Sequence, residues 1–492
     1  MMNWNIEADV VVVGYGIAGA CAAIEAKQAG AEVLVLERAS GGGGSSAMSS
    51  GIFYLGGGTP VQKAFGYDDT AEEMYKFLMA STEAEDPEAI RLFCDNSLEH
   101  FNWLETLGVP FERSEHKEKA VFLNTSECLF STGNEKVWPY KLIARPAPRG
   151  HKVAGIGENA GAEAMKAILK RCEDLGINAE YDCQVQSVIR DEQGRVVGVE
   201  ARRNGETLRI GARRGLIMAT GGFAMNREMV CANVPLMSET AEPLGIPSTD
   251  GSGIIMGQKI GAATAAMDGV IATGSIYPPG QLIKGILVNK LGKRFVAEDS
   301  YHGRTASLVM EQPDQTAYLI VDAEVFAYPE ITSAQHQLVD GWDTIEEMET
   351  GLDMPVGALQ ATMARYNQYA AEEADPDLFK AAEWLKPLDQ GPYAAFDISF
   401  NKSIYLYMTL GGLKTNAQSQ VLDPSGYPIP GFYSAGACAV HIPRTGKSYA
   451  SGMSLGPGSF FGRIAGTQAA RNERAQHRYG QIKNSLTCFK HG

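Results

Sequence analysis

Residues 8–38, ADVVVVGYGIAGACAAIEAKQAGAEVLVLER, restrict the possible folds more than any other stretch of the chain. A β-branched run from Val10 to Val13 stops at Gly14-Tyr15-Gly16-Ile17-Ala18-Gly19. The small residues over 20–29 predict a helix, and Val33 to Leu36 predict a second strand, closed by Glu37. Strand, glycine loop, helix, strand and acid form a unit in which each part has a physical task. Gly14 permits the tight turn, Gly16 lets a pyrophosphate reach the backbone, and Gly19 lets the helix pack closely on the sheet. The free N–H groups at the helix start then face the phosphates. Glu37 stands about 20 residues on, where a carboxylate meets a ribose hydroxyl. The unit is a dinucleotide site.

At 492 residues the chain exceeds one ordinary domain, so two domains sharing a crevice are expected. A net charge of −15, with no aromatic-interleaved basic patch, argues against a nucleic-acid surface. No stretch reaches the roughly 18 uninterrupted apolar residues of a membrane span. The start, MMNWNIEAD, has no basic segment and runs straight into a strand, so no secretory leader is expected. Eight cysteines lie scattered without CxxC pairing. Such cysteines read as small core residues, not as disulfides, a zinc site or an iron–sulfur cluster. The expected compartment is the reducing cytoplasm, with peripheral membrane association left open.

After Glu37 come Arg38 and Ser40, then Gly41-Gly42-Gly43-Gly44-Ser45-Ser46, a second glycine loop that lets backbone wrap a large flat ligand. Apolar spacing predicts a helix over 87–107. Residues 113–152 have little periodicity and several prolines, and read as a long surface excursion. Its end, Arg145 to His151, reads either as a cleft wall or as a stiff proline loop. A helix is expected over 160–175, stopped by Gly176. Strands follow over 185–213, with Asn204-Gly205 as a hairpin turn, leading into Ala219-Thr220-Gly221-Gly222. Asp250-Gly251-Ser252-Gly253 opens another helix, capped by its acid. From about 270 the character changes to short strands (285–288, 317–321) and a helix (355–374), an inserted α+β cap. Glycine returns at Leu410-Gly411-Gly412-Leu413, at the strand ending on Gly436, and in Tyr449-Ala450-Ser451-Gly452-Met453-Ser454-Leu455-Gly456-Pro457-Gly458. Pro457 suits the first turn of a last helix.

Two glycine loops flanking Glu37 resemble the adenine-dinucleotide grip of glutathione-reductase-like flavoproteins, which implies FAD. With Gly292-Lys293-Arg294-Phe295-Val296-Ala297-Glu298, Leu410 to Leu413 and the 449–458 stretch, the chain resembles the fumarate reductase / 3-ketosteroid dehydrogenase group over nearly its whole length. The resemblance implies an α/β Rossmann FAD-binding domain, 1–269 and 407–492, carrying an inserted cap domain over 270–406. It assigns cofactor contacts to Gly14, Gly16, Ile17, Ala18, Gly19, Glu37, Arg38, Ser40, Gly43, Gly44, Ser45, Ser46, Val185, Ala219, Thr220, Gly221, Asp250, Gly436, Ser454 and Leu455. Ala47 and Met48 offer no histidine for a covalent link, so FAD is expected to be bound non-covalently.

Within that group, dicarboxylate reductases hold two carboxylates with arginine and histidine. Here Met408 stands where their histidine is expected, and Tyr449 where an arginine is expected. Arg304 lies near the place of the proton-donating arginine, in the non-matching setting Tyr301-His302-Gly303. Unpaired charges of a dianion are costly in a closed site, so a neutral substrate is favoured. The 3-ketosteroid Δ4-(5α)-dehydrogenases match best, through Tyr301, the 145–151 stretch, Tyr449-Ala450-Ser451-Gly452 and Ser454-Leu455-Gly456. The resemblance implies 4,5-desaturation of a 3-ketosteroid, with a proton leaving carbon 4 and a hydride passing from carbon 5 to flavin N5. Tyr449 is the expected base, aided by Ser451 and Tyr301 as hydrogen-bonding relay. His302 and His441 read as surface or loop residues. The basic run 441–447 leaves the steroid's side chain open, and the electron acceptor is not specified. A Δ1-dehydrogenase, a steroid enone reductase, a fumarate-type reductase and an electron-passing FAD subunit are the alternatives.

Overall fold

The computed structural model describes residues 3–82, 86–330, 336–440 and 442–472. Strand β1 (Ile6–Val13) is the centre of the largest sheet, because its valines are apolar on both faces and six of its eight residues are buried. It pairs in parallel with β2 (Val33–Leu36), Val10 opposite Val33 and Val13 opposite Leu36. On its other side it pairs in parallel with Glu206–Met218, Val13 opposite Met218. Strand Asn178–Glu180 extends the sheet past β2, and Pro428–Ser434 extends it past Glu206–Met218. A parallel sheet buried on both faces needs helical cover. That cover includes α1 (Ile17–Gln28), buried along most of its length by small residues.

The closing helix, Leu455–Arg471, lies against α1. A Cβ on Gly462 would sit 2.4 Å from the Ala18 carbonyl oxygen, and one on Gly466 would sit 2.1 Å from that of Ala22. The two backbones therefore touch, and the helix Leu455–Arg471 is fixed against the first helix.

A second, antiparallel sheet joins Ile286–Asn289, Ala317–Asp322, Tyr393–Asp397 and Gln337–Trp342 in that order. Behind it Arg294 pairs with Glu298 at 2.8 Å and with Asp375 at 3.0 Å, all three almost wholly buried, with Lys380 at 3.3 Å from Glu298. Ala241–Pro243, Tyr405–Thr409 and Val270–Thr273 form a further, three-stranded sheet, in that order.

The helices expected over 87–107, 160–175 and 355–374 are Pro87–Thr106, Gly161–Asp174 and Ala358–Ala371. The hairpin turn at Asn204-Gly205 joins two antiparallel strands, with Arg203 opposite Glu206. One reading is corrected. Residues 113–127 do run along the surface, but the rest of 113–152 turns inward: Gly150–Lys152 pairs with Ile52–Tyr54 as the middle strand of a small sheet, and Arg149, His151 and Lys152 are fully buried. Each of these buried groups has a hydrogen-bond partner brought from elsewhere in the chain. Arg149 donates to Asp69 at 2.7 Å, His151 is bonded to the Thr59 hydroxyl at 2.8 Å, and Lys152 donates to the Thr125 carbonyl at 2.8 Å.

Candidate active site

The dinucleotide loop is built by close approaches that exclude side chains. Gly14 has φ +99°, and a Cβ on it would lie 2.4 Å from the Ala219 carbonyl oxygen. A Cβ on Gly19 would lie 2.0 Å from the Gly14 carbonyl oxygen. At Gly16 and Gly221, by contrast, no atom stands closer than 3.5 Å to the position of a Cβ, so backbone is left open to a ligand. Ala219, Thr220 and Gly221 follow directly on the strand Glu206–Met218, as the ATGG motif leads one to expect.

Glu37 is 8 % exposed, and both its oxygens are held by backbone. Oε2 accepts from Tyr15 N–H and Oε1 from Ala39 N–H, each at 2.8 Å. Its carboxylate is thereby fixed beside the glycine loop, leaving lone pairs for a ribose diol. The second glycine loop folds onto the first: Gly43 N–H donates to the Tyr15 carbonyl at 2.8 Å, and Ser46 Oγ accepts from Ile17 N–H at 3.2 Å. Ser45 bonds to Thr249 at 3.1 Å. Arg38 pairs with Asp250 at 2.8 Å, and Asp250 Oδ1 accepts from Ser252 N–H at 3.0 Å. Burial alone would raise the Asp250 carboxyl, but the Arg38 and Ser252 bonds outweigh it and hold it below its ordinary value. Val185 lies in the strand Cys183–Arg190, and Cys183 N–H donates to the Glu37 carbonyl at 3.0 Å. Gly436 takes φ +67°, and a Cβ there would lie 2.8 Å from that of Ala18. Ser40 is exposed at the rim. The open backbone at Gly16 and Gly221 and the fixed Glu37 carboxylate fit the adenosine diphosphate part of FAD.

Tyr301, Tyr449 and Ser451 are brought together. The two phenol rings lie 6.5 Å apart between centroids, with planes 29° from parallel. The tyrosines are 3 % and 5 % exposed. Tyr301 precedes the helix His302–Met310, and Tyr449 follows the short turn Gly446–Ser448. Their hydroxyl pairing differs from the expected relay. Tyr301 OH is bonded to Ser451 Oγ at 3.0 Å, whereas Tyr449 OH is bonded to Ser454 Oγ at 2.7 Å. Ser454 stands at the N-terminus of the closing helix, which begins at Leu455 and so carries Pro457 in its first turn as expected, and its hydroxyl meets that of Tyr449. Burial raises both phenols, Tyr301 further because Tyr449 lies beside it; the Ser454 bond draws Tyr449 back only in part.

His302 is corrected from surface to core. It is 5 % exposed, neither ring nitrogen has a hydrogen-bond partner, and burial, with Lys119 nearby, depresses it to about 3. It stays neutral at neutral pH. His441 lies outside the described residues. Of the remaining basic run, Lys447 pairs with Glu311 at 2.5 Å and Arg444 lies 3.8 Å from Asp86. Arg304 sits over the Tyr140 ring and donates to the Trp138 carbonyl at 3.4 Å.

Sequence reading missed the segment behind the site. Ser451 N–H donates to the Thr132 carbonyl at 2.9 Å, and Tyr301 N–H donates to Asn134 Oδ1 at 2.8 Å. Glu135 follows and accepts from Tyr54 OH at 2.7 Å, while Tyr54 N–H donates to the Gly452 carbonyl at 3.1 Å. Nothing local in Thr132-Gly133-Asn134-Glu135 signals these partners, which lie up to some hundreds of residues away in the chain.

A family model described as an FAD binding domain matches residues 9–454. The chain belongs to this FAD-binding family. Among solved structures, a 3-ketosteroid Δ4-(5α)-dehydrogenase from Rhodococcus jostii, in complex with 4-androstene-3,17-dione, is 43 % identical. That likeness covers 96 % of this chain and 98 % of the other, at a TM-score of 0.90. A 3-oxo-5-alpha-steroid 4-dehydrogenase from Comamonas testosteroni is 29 % identical, over 90 % of this chain and 95 % of the relative. A cytochrome-type fumarate reductase of Shewanella frigidimarina is 26 % identical, over 94 % of this chain and 77 % of its own length. The flavoprotein therefore falls in the fumarate reductase / 3-ketosteroid dehydrogenase group, with the expected α/β architecture. Among the described residues, no helix is long and apolar enough to cross a membrane.

Proposed function

We propose that this flavoprotein desaturates ring A of a 3-ketosteroid between carbons 4 and 5. The observation that carries the reading is the meeting of two buried phenols, each bonded to a serine hydroxyl, Tyr301 to Ser451 and Tyr449 to Ser454, with no guanidinium among the four groups. Such hydroxyls suit a neutral ketone and offer nothing to pair the charges of a diacid. The 43 % identity to a steroid-bound Δ4-(5α)-dehydrogenase supports the same substrate class.

A 3-ketone acidifies the hydrogens on carbon 4, and the protein must accept one as a proton while stabilising the enolate oxygen. The two pairs support a division of labour that replaces the expectation of Tyr449 as base. Tyr449 is raised by burial and ends on Ser454, so it keeps its proton and donates to the ketone oxygen. Ser451 and Tyr301 share a hydrogen bond, and so take the carbon-4 proton as a coupled pair. Bound FAD supplies the two-electron acceptor for the hydride leaving carbon 5. Its adenosine half is to be held by Glu37 and the two glycine loops, and with Ala47 and Met48 beyond them the attachment is non-covalent.

The chain divides, on this reading, into an FAD-binding domain, 1–269 and 407–492, and a cap, 270–406. The antiparallel sheet drawn wholly from 286–397 supports that division. Seven described cysteines, all unpaired and six of them buried, support a reducing cytoplasmic compartment. Cys488 lies outside the described residues.

Two dye-linked assays separate the readings. Oxidation of a saturated 3-ketosteroid to the 4-ene-3-ketone with an artificial electron acceptor is the expected activity. Brisk fumarate reduction by a reduced dye, with no steroid turnover, would replace this proposal with the dicarboxylate one.

A further inference from the structure

One short stretch, Thr132-Gly133-Asn134, holds both members of the proton-accepting pair by their backbones. The Thr132 carbonyl accepts from Ser451 N–H at 2.9 Å, and Asn134 Oδ1 accepts from Tyr301 N–H at 2.8 Å. The hydroxyls of the same two residues, Tyr301 and Ser451, meet at 3.0 Å. Together the three bonds close a loop around the pair, so the spacing of the two backbone anchors sets how the hydroxyls meet.

Tyr301 stands immediately before the helix His302–Met310, where its N–H has no acceptor within the helix. Asn134 supplies that acceptor from 167 positions away in the chain. Only the oxygen end of an amide can accept from an N–H, so the bond also fixes which way the side chain faces. Asn134 is 1 % exposed, and its own carbonyl accepts from Val137 N–H at 2.9 Å. At Gly133 the backbone lies against the residue before Ser451: a Cβ there would be 2.9 Å from the Ala450 methyl.

Two further bonds tie this part of the chain to the Tyr301 segment, one before and one after Asn134. Lys119 Nζ donates to the Asp299 carbonyl, and Arg304 donates to the Trp138 carbonyl at 3.4 Å. The Trp138 ring stacks on Phe379 at 4.2 Å between centroids. The Tyr301 ring, for its part, has little freedom to make up for a displaced backbone. A Cβ on Gly303 would lie 2.8 Å from one of its carbons, and the His302 ring lies 4.1 Å away between centroids. A shift of the Tyr301 backbone therefore passes to its hydroxyl.

We propose that Asn134 is a positioning residue that sets the Tyr301 hydroxyl in register with Ser451. This inference rests on the desaturase reading of the site, in which that pair takes the carbon-4 proton. Asn134 acts through Tyr301 alone, and moves no proton itself. Its effect is nonetheless large, because a displacement of about 1 Å at a reacting group can cost about a hundredfold in rate.

Asn134→Ala removes the acceptor and leaves all four hydroxyls of the site in place, so the holoprotein should remain yellow. Its limiting rate of steroid-dependent flavin reduction should fall about a hundredfold, while the steroid concentration giving half that rate stays nearly unchanged. Asn134→Asp keeps an oxygen in the same position and should restore most of the rate. Asn134→Ala combined with Tyr301→Phe should be no slower than Tyr301→Phe alone, because the amide works only through that phenol. A wild-type rate in Asn134→Ala, or losses that multiply in the double variant, would overturn the inference. Should Asn134→Ala fail to fold, Asn134→Ser takes its place in the same comparisons. A crystal structure of the variant holoprotein supplies a reading independent of turnover: Tyr301 OH should lie beyond about 3.5 Å from Ser451 Oγ, and a bond still present there would overturn the inference. A wild-type protein that steroid fails to reduce would instead overturn the desaturase reading. The variant's crystal structure would then decide alone whether Asn134 holds the pair in register.

Discussion

Tyr301→Phe is expected to lower the rate of steroid-dependent flavin reduction by about a hundredfold or more, with FAD binding intact. General acid–base groups contribute about 10²–10⁴ in rate, and this substitution removes one half of the pair that takes the carbon-4 proton. The hydroxyl is bonded to Ser451 at 3.0 Å and serves no other described side chain, so its loss should leave the fold almost untouched. The Tyr301 backbone remains anchored by Asn134. Ser451→Ala should fall by a similar factor, and the double variant should be little worse than either single one, because two groups acting as a unit are not additive. Tyr449→Phe tests the other pair. It should slow the same step by removing the donor to the ketone oxygen, while leaving the pH dependence that the Ser451–Tyr301 pair sets. Stopped-flow reduction across a pH series distinguishes these outcomes, and an undiminished rate in Tyr301→Phe would remove the pair from the mechanism.

The largest structural effect is expected at Gly19. An alanine methyl there would lie 2.0 Å from the Gly14 carbonyl oxygen and 3.3 Å from a Val12 methyl. Both neighbours belong to the rigid junction of β1 and α1, so neither can move away cheaply. Forcing the overlap should cost at least about 3 kcal/mol and displace the helix start from the pyrophosphate. Purified Gly19→Ala is therefore expected to lack yellow colour and to melt several degrees below the wild type, as read by flavin absorbance and calorimetry. Gly16→Ala is the control, since the nearest atom to its new methyl is the Ser46 hydroxyl at 3.5 Å. It should fold normally and lose FAD affinity alone.

These two sites show where the sequence is legible and where it is not. The Gly14–Glu37 unit is readable because every requirement in it is local: turn, close approach and carboxylate fall within one strand–helix–strand stretch. The cap strands are readable for the same reason, as short apolar runs bounded by turns. The 113–152 segment is not, because Arg149 and Lys152 look like surface residues until Asp69 and the Thr125 carbonyl are brought to them. The chemistry of the site fails to be legible in the same way. That Tyr449 would bond to Ser454, and Ser451 to Tyr301, depends on the closing helix starting at Leu455 and on a partner 150 positions away. Gly462 and Gly466, spaced by one helical turn, carry the contact with α1, yet in the sequence they look like ordinary glycines in a weak helix.

The most direct measurement is the absorbance of the oxidised holoprotein, without oxygen, as a saturated 3-ketosteroid of the 5α series is added. Loss of the yellow flavin bands, matched one for one by appearance of the conjugated 4-ene-3-ketone, is the expected result. Flavin bands that stay unchanged at saturating steroid, in a protein that still binds FAD, would contradict the assignment of this site to ring-A desaturation.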